Sequence, residues 1–203
     1  MGVLGYSPDM DDLVKAALVK WPNVPACFGW LGLDARGQWW MRDDAAQRCG
    51  PFGSNSPGAK GSVLRHDKLI EFIGRNYDVE PDGPLSGAWF FQNGPQKVYV
   101  ELESTPWIWR VSKHSNSFEI TSHTGQPVHL ESCHLCERGW LYLLTDVGFG
   151  LIHSQDVFVA AQAIESGAWE PVLVNSTQLE ALFGFARSPQ SRHNELAFSP
   201  MRR

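Results

Sequence analysis

The sequence is short of charge. Asp, Glu, Lys and Arg make up 19% of its 203 residues, and the formal net charge is -5 with a pI near 5.8. A mildly acidic chain offers no general field for nucleic acid or for an anionic membrane surface. Basic residues gather only near the end, at Arg187, Arg192, Arg202 and Arg203. Long apolar runs are missing too. Nothing approaches the roughly 18 continuous apolar residues of a membrane span. The start, MGVLGYSPDMDD, has no basic lead followed by an apolar stretch, so it does not read as a secretory signal. Tyr6 stands where N-myristoylation needs Ser or Thr. The expected location is the cytoplasm, where the four cysteines stay reduced.

Chemical signatures are equally sparse. There is no Gly-x-Ser-x-Gly elbow, no phosphate-binding loop, no dinucleotide fingerprint and no His-Glu-x-x-His helix. Cys133-His134-Leu135-Cys136 is the one cysteine motif. Zinc needs a second ligand pair, and Cys27 and Cys49 are remote. A thioredoxin-like pair opens a helix, whereas this one precedes the strand-like run Trp140–Leu144. No metal or cofactor is therefore expected.

What is present is aromatic mass: nine Trp and eleven Phe. Such side chains build cores, and they also make rigid pocket walls. Periodicity then orders the chain. Met10–Trp21 repeats apolar residues at helical steps, Leu13, Ala16 and Ala17 beside Val14, Leu18 and Trp21, with Ser7-Pro8 and the nearby aspartates marking its start. Phe28–Asp34 and Gln38–Arg42 form a hairpin around Gly37. Asp44–Gly61, rich in Gly, Ser and Pro, is expected as a flexible loop or an insertion. Leu64–Tyr77 is a second helix with Leu69, Ile70, Phe72 and Ile73 inward. Trp89 onward forms a hairpin turned at Asn93–Gln96. Val98, Val100 and Leu102 alternate with Tyr99, Glu101 and Glu103, which predicts one wet face. Trp107–Val111, Ser117–Ser122, Val128–Cys136, Trp140–Leu144, Gly148–His153 and Glu170–Val174 are further strands, with Ser112–Asn116 a turn. Gln155–Glu165 is a helix capped by Ser154, with Val157, Phe158, Ala161 and Ile164 on one face. Asn175 or Ser176 caps a short helix, Gln178–Phe183. Residues after Arg187 are expected to fray.

Two parts of the chain repeat. Gly29-Trp30-Leu31 matches Gly139-Trp140-Leu141, each opening a hairpin followed by a helix. After each helix comes Ser-Gly-Ala-Trp, at Ser86–Trp89 and Ser166–Trp169. The shared order predicts a duplicated α+β unit built on antiparallel sheets. The expected division is 1–90, 91–187 and a tail 188–203. Paired units bury faces against each other and leave a cleft, a preferred ligand position.

Asp34-Ala-Arg-Gly-Gln-Trp39, Pro95-Gln-Lys-Val-Tyr-Val-Glu-Leu-Glu103 and Ser104-Thr-Pro-Trp107 resemble an uncharacterised family of proteobacterial proteins, a domain of unknown function. The likeness runs from about Gly29 to Glu165. The N-terminal helix, the Asp44–Gly61 loop and the tail depart from it. The resemblance implies an internally duplicated α+β fold with a pleckstrin-homology-like C-terminal half. It also implies a nucleotide-like ligand between the halves and a role in signalling. It supplies no catalytic residue.

Candidate site residues follow from chemistry. Arg65 opens the second helix, where free N–H groups attract an anion. Gln92, Asn93 and Lys97 could read a polar ligand, and Trp107 could stack on it. Glu101 and Glu103 share a strand face and, with His66, are candidates for acid–base or metal-assisted hydrolysis; the alternative is a solvated sheet face with Lys97 offsetting their charge. The leading expectation is a non-enzymatic ligand-binding or regulatory protein. A hydrolase and a protein-interaction module stand as alternatives.

Overall fold

The computed structural model describes residues 11–115 and 117–198. The Ser7-Pro8 start signal, Asp9, Met10, Asn116, Arg202 and Arg203 lie outside them. Two compact units are present. The first comprises 1–32, 39–101 and 188–203, and the second 33–38 and 102–187. The expected boundary at residue 90 is thus replaced by one after Glu101. Of the residues expected to fray, the described ones, 188–198, belong to the first unit.

The first unit carries a six-stranded sheet. In chain order its strands are β1 (Cys27–Leu33), β2 (Trp39–Met41), β3 (Ser62–Val63), β4 (Tyr77–Val79), β5 (Trp89–Asn93) and β6 (Gln96–Leu102). They are arranged β3-β2-β1-β6-β5-β4, and both β1 and β6 run on into the second unit at their last residue. Trp39, Tyr77 and Trp89 pack edge-on and tilted in its core, with ring centroids 5.3 and 4.7 Å apart. The β5–β6 hairpin is tighter than the predicted four-residue loop. Asn93 pairs with Gln96, leaving only Gly94-Pro95 to turn, with Gly94 at φ 57°. A positive φ followed by proline suits the primed turns that match strand twist.

Helix α1 (Asp12–Lys20) forms, but it buries only Val14. Leu13 and Val19 point to solvent. Asp11 sets its rotation: its backbone N–H donates to Asn76 Oδ1, and its carboxylate accepts from Asn76 and Arg75. The Asp44–Gly61 segment is not a flexible loop. Helix α2 (Asp44–Cys49) is capped by the Asp43 carboxylate, which accepts from Ala46 N. Phe52 and Ala59 are fully buried there. Arg42, 1% exposed, donates to the carbonyls of Gly29, Gly50 and Ala59 at 3.1, 2.6 and 2.7 Å. One buried guanidinium therefore ties the segment to β1. Helix α3 (Asp67–Arg75) follows, shorter than predicted at both ends.

The second unit carries a seven-stranded sheet. Its strands are β7 (Trp107–His114), β8 (Ser117–Ser122), β9 (Pro127–Val128), β10 (Leu130–Cys136), β11 (Leu141–Thr145), β12 (Gly148–Ile152) and β13 (Pro171–Val174), ordered β13-β10-β11-β12-β7-β8-β9. Its hairpins are antiparallel, and the joins β12–β7 and β10–β13 are parallel. Helix α4 (Val157–Glu165) turns Ala160 and Ala163 inward and leaves Ala161 and Ile164 half-buried and Phe158 73% exposed, so the buried face is rotated from the one the apolar spacing marked. Alanines let the helix approach the sheet closely. Asp156, not Ser154, is the cap residue, and its carboxylate instead holds the Arg110 guanidinium at 2.6 and 3.2 Å and Val111 N. In α5 (Leu179–Phe183) the cap position falls to Gln178, while Asn175 folds its own turn by accepting from Thr177.

The tail is helix α6 (Pro189–Phe198). Ser188 Oγ and Gln190 N donate to the Glu101 carboxylate at 2.6 and 2.9 Å, and Arg192 donates to Ser86 O.

The fold is therefore α+β with a repeated element. Gly29 and Gly139 have φ 78° and 76°, and the tryptophans after them are 44% and 41% exposed. Gly87 and Gly167, in the two Ser-Gly-Ala-Trp stretches, have φ 80° and 74°, and Trp89 and Trp169 are buried.

Candidate ligand cavity

The hairpin and helix of the first unit enclose an open cavity of about 240 Å³. The hairpin contributes Cys27, Trp30, Leu31 and Met41; α3 contributes Leu69 and Ile73; β5 and β6 contribute Phe91, Asn93 and Val98; Leu64 completes the lining. Trp30 lines the cavity while 44% exposed, and its strand neighbour Leu31 lines it from a buried position. The polar side chains of the wall are the Asn93 amide and the Cys27 thiol, and burial pushes that thiol's pKa up. No lining residue is a cation.

The predicted site residues separate. Asn93 lines the cavity. Gln92 is 1% exposed and donates through Nε2 to Gly94 O at 2.8 Å, so its amide serves its own turn. Lys97 donates to Glu80 Oε2 at 2.6 Å and sits over the Phe90 ring; Tyr99 OH donates to the same oxygen. Its charge is answered by Glu80, not by Glu101 or Glu103. Arg65 is exposed and precedes α3. The start of that helix is already capped, because His66 Nδ1 accepts from Leu69 N at 3.3 Å. Trp107 belongs to the second unit. It is 6% exposed, stacks on Trp109 with centroids 5.8 Å apart, and donates to Val147 O.

The predicted wet face of β6 is absent. Glu101 is 2% exposed, and burial raises its pKa against the pull of Ser188, Gln190 and Arg42. Its oxygens are occupied by the start of α6, so it is a structural carboxylate. Glu103 accepts from Ala35 N at 2.9 Å. Neither lines the cavity. Cys133 and Cys136 lie three residues apart on β10, so strand alternation sends them to opposite faces. Among the described residues no group of three His, Cys, Asp or Glu side chains is placed to hold a metal ion. No described helix is long and apolar enough to cross a membrane.

Sequence reasoning reached Asn93 but missed Cys27, Trp30 and Met41. Gly29-Trp30 was the available signal: a glycine at positive φ beside a large aromatic on a strand marks a side chain that the core does not take.

These features define an α+β protein of hairpin-and-helix units with an apolar cavity in its first unit. The chain belongs to the family described as Protein of unknown function (DUF2946), whose profile matches residues 10–190. That span includes Asp44–Gly61. No curated protein matches the chain. A crystal structure of a DUF1285 family protein from Silicibacter pomeroyi DSS-3 is similar at 12% identity, over 80% of this chain and 79% of that one, with a TM-score of 0.42.

Proposed function

We propose that this is a cytoplasmic ligand-binding protein with a regulatory role, and that its first-unit cavity takes a small, flat, mostly apolar molecule. The apolar lining of a roughly 240 Å³ opening carries this reading. Ligand sites are typically concave, apolar and fitted with a few orienting polar groups, here Asn93 and Cys27. A nucleotide-like ligand, as the family resemblance implies, would enter by its base, since no lining cation receives a phosphate. A pleckstrin-homology-like second unit is supported by its seven strands and helix α4, and its parallel joins set it apart from a purely antiparallel version. The test uses indole and adenine as probes. Each should raise the melting temperature, because binding to the folded state alone stabilises it, and should slow thiol modification at Cys27. If neither probe does either at millimolar concentration, the reading fails.

An interaction role is favoured by one separate observation. β13 is an edge strand with Val172 55% and Leu173 78% exposed. An open apolar edge accepts an extended segment of a partner.

A further inference from the structure

The second unit holds a cavity of about 270 Å³ with a different chemistry. Its apolar floor is Leu141, Leu151 and Ile152, with Val157 from α4. Trp140, the counterpart of Trp30, closes one side and is 41% exposed. The two cavities use matched positions. Trp30, Leu31 and Met41 line the first cavity; Trp140, Leu141 and Ile152 line the second, where Tyr142 of the same hairpin pairs with Leu151.

The rims differ in charge. Arg36 lines the second cavity and is exposed, and no described residue bonds its guanidinium; only its backbone N–H is engaged, on Asp34 Oδ1. Arg138 stacks over the Trp140 ring with its guanidinium carbon 4.7 Å from the centroid. Ser154 adds a hydroxyl to the lining, also without a bonded partner among the described residues. The nearby acids are committed. Asp34 accepts from Arg36 N and Gln38 N, Glu103 accepts from Ala35 N, Asp156 holds Arg110, and Glu137 accepts from Ser176. His153, between Ile152 and Ser154, is 7% exposed, and burial followed by the Arg110 charge depresses its pKa, so it adds no positive charge near neutral pH. The net character is an apolar slot with a flat aromatic wall and, at its mouth, a guanidinium that no described carboxylate bonds directly.

We infer that this cavity is a second binding site, selective for a small organic carboxylate with a flat apolar body, whose anionic group pairs with Arg36 and whose ring packs against Trp140. A planar guanidinium matches a carboxylate through parallel N–H···O bonds. The inference rests on second-unit residues alone and stands or falls apart from the indole and adenine test.

Phenylacetate and its neutral amide, phenylacetamide, are the probes. The readouts are calorimetric affinity and the indole N–H resonance of Trp140, assigned through Trp140→Phe. Phenylacetate should bind more tightly than the amide and move that resonance. Arg36→Gln should weaken phenylacetate by about tenfold or more and leave the amide unchanged. Arg36 is an exposed turn residue, so the variant keeps its fold, which an unchanged melting temperature verifies. Val157→Glu, placing a carboxylate on the lining, should also abolish phenylacetate binding. Equal affinity for acid and amide, an unaltered Arg36→Gln affinity, or an unmoved Trp140 resonance would each overturn the inference.

Discussion

Gly150→Ala should destabilise the protein far more than the addition of one methyl group suggests. Gly150 sits in β12 opposite Leu143 on one side and Trp107 on the other. The Trp109 indole lies over it and donates through Nε1 to Leu143 O at 3.0 Å. A Cβ at Gly150 would stand 2.4 Å from Trp109 Nε1, 2.6 Å from Trp109 Cε2 and 2.6 Å from Trp107 O. The carbonyl belongs to a paired strand, and the indole, 0% exposed, is locked. The ring must lift and lose its hydrogen bond, at about 1 kcal/mol. Overpacking adds roughly 1–3 kcal/mol. The total, about 2–4 kcal/mol, lowers Tm by roughly 5–15 °C in a chain of this size. Calorimetry or near-ultraviolet dichroism would read it. Trp109→Leu makes room, so the double variant should be at least about 1 kcal/mol more stable than the two single losses predict. A Gly150→Ala melt within about 2 °C of the parent, or strict additivity, would refute this account of the strand junction.

Arg42→Met leaves three carbonyls without their donor and removes the positive charge that pulls the Glu101 pKa down; a loss of about 3–5 kcal/mol is expected in urea titration. Burial holds the His123 pKa down to about 3, and those of His134 and His153 below the usual value. The unfolded chain then binds more protons below about pH 6.5. Stability should therefore fall as pH drops from there toward about 3, by up to about 1.4 kcal/mol per unit from His123. Glu101, with its pKa raised, acts in the opposite direction in the carboxylate range. A Tm flat between about pH 7 and pH 4, or an equally steep one in His123→Gln, would contradict this assignment. Thiol titration of the native protein should modify Cys49 first and Cys27 slowly, with Cys133 and Cys136 reacting only on unfolding; early reaction of Cys133, whose pKa burial raises to about 11, would contradict its placement.

Strands and helices were legible where periodicity was strong, as in β6, β7 and α4. Faces were not. The 3.6 period in α4 pointed to Val157, Phe158, Ala161 and Ile164, yet the sheet takes Ala160 and Ala163 because small residues permit close approach. The alternation in β6 suggested a wet face, yet Glu101 is buried because Ser188 and Gln190, far along the chain, supply its hydrogen bonds. Composition made Asp44–Gly61 look unstructured, and the Arg42 clamp that orders it acts on backbone carbonyls, which leave no mark in the sequence. Of the cavity, only Asn93 and the Gly29-Trp30 repeat were visible. Its remaining wall is assembled by tertiary packing.

The return of residues 188–198 to the first unit has a consequence for biosynthesis. A chain emerging from the ribosome can complete the second unit as soon as Arg187 is clear. The first unit, begun earlier, must wait with the Glu101 carboxylate unmet until Ser188 and Gln190 appear. The later-encoded unit is thus free to mature first, and a transcript cut just after Arg187 would leave a finished second unit joined to a first unit lacking its closing contacts.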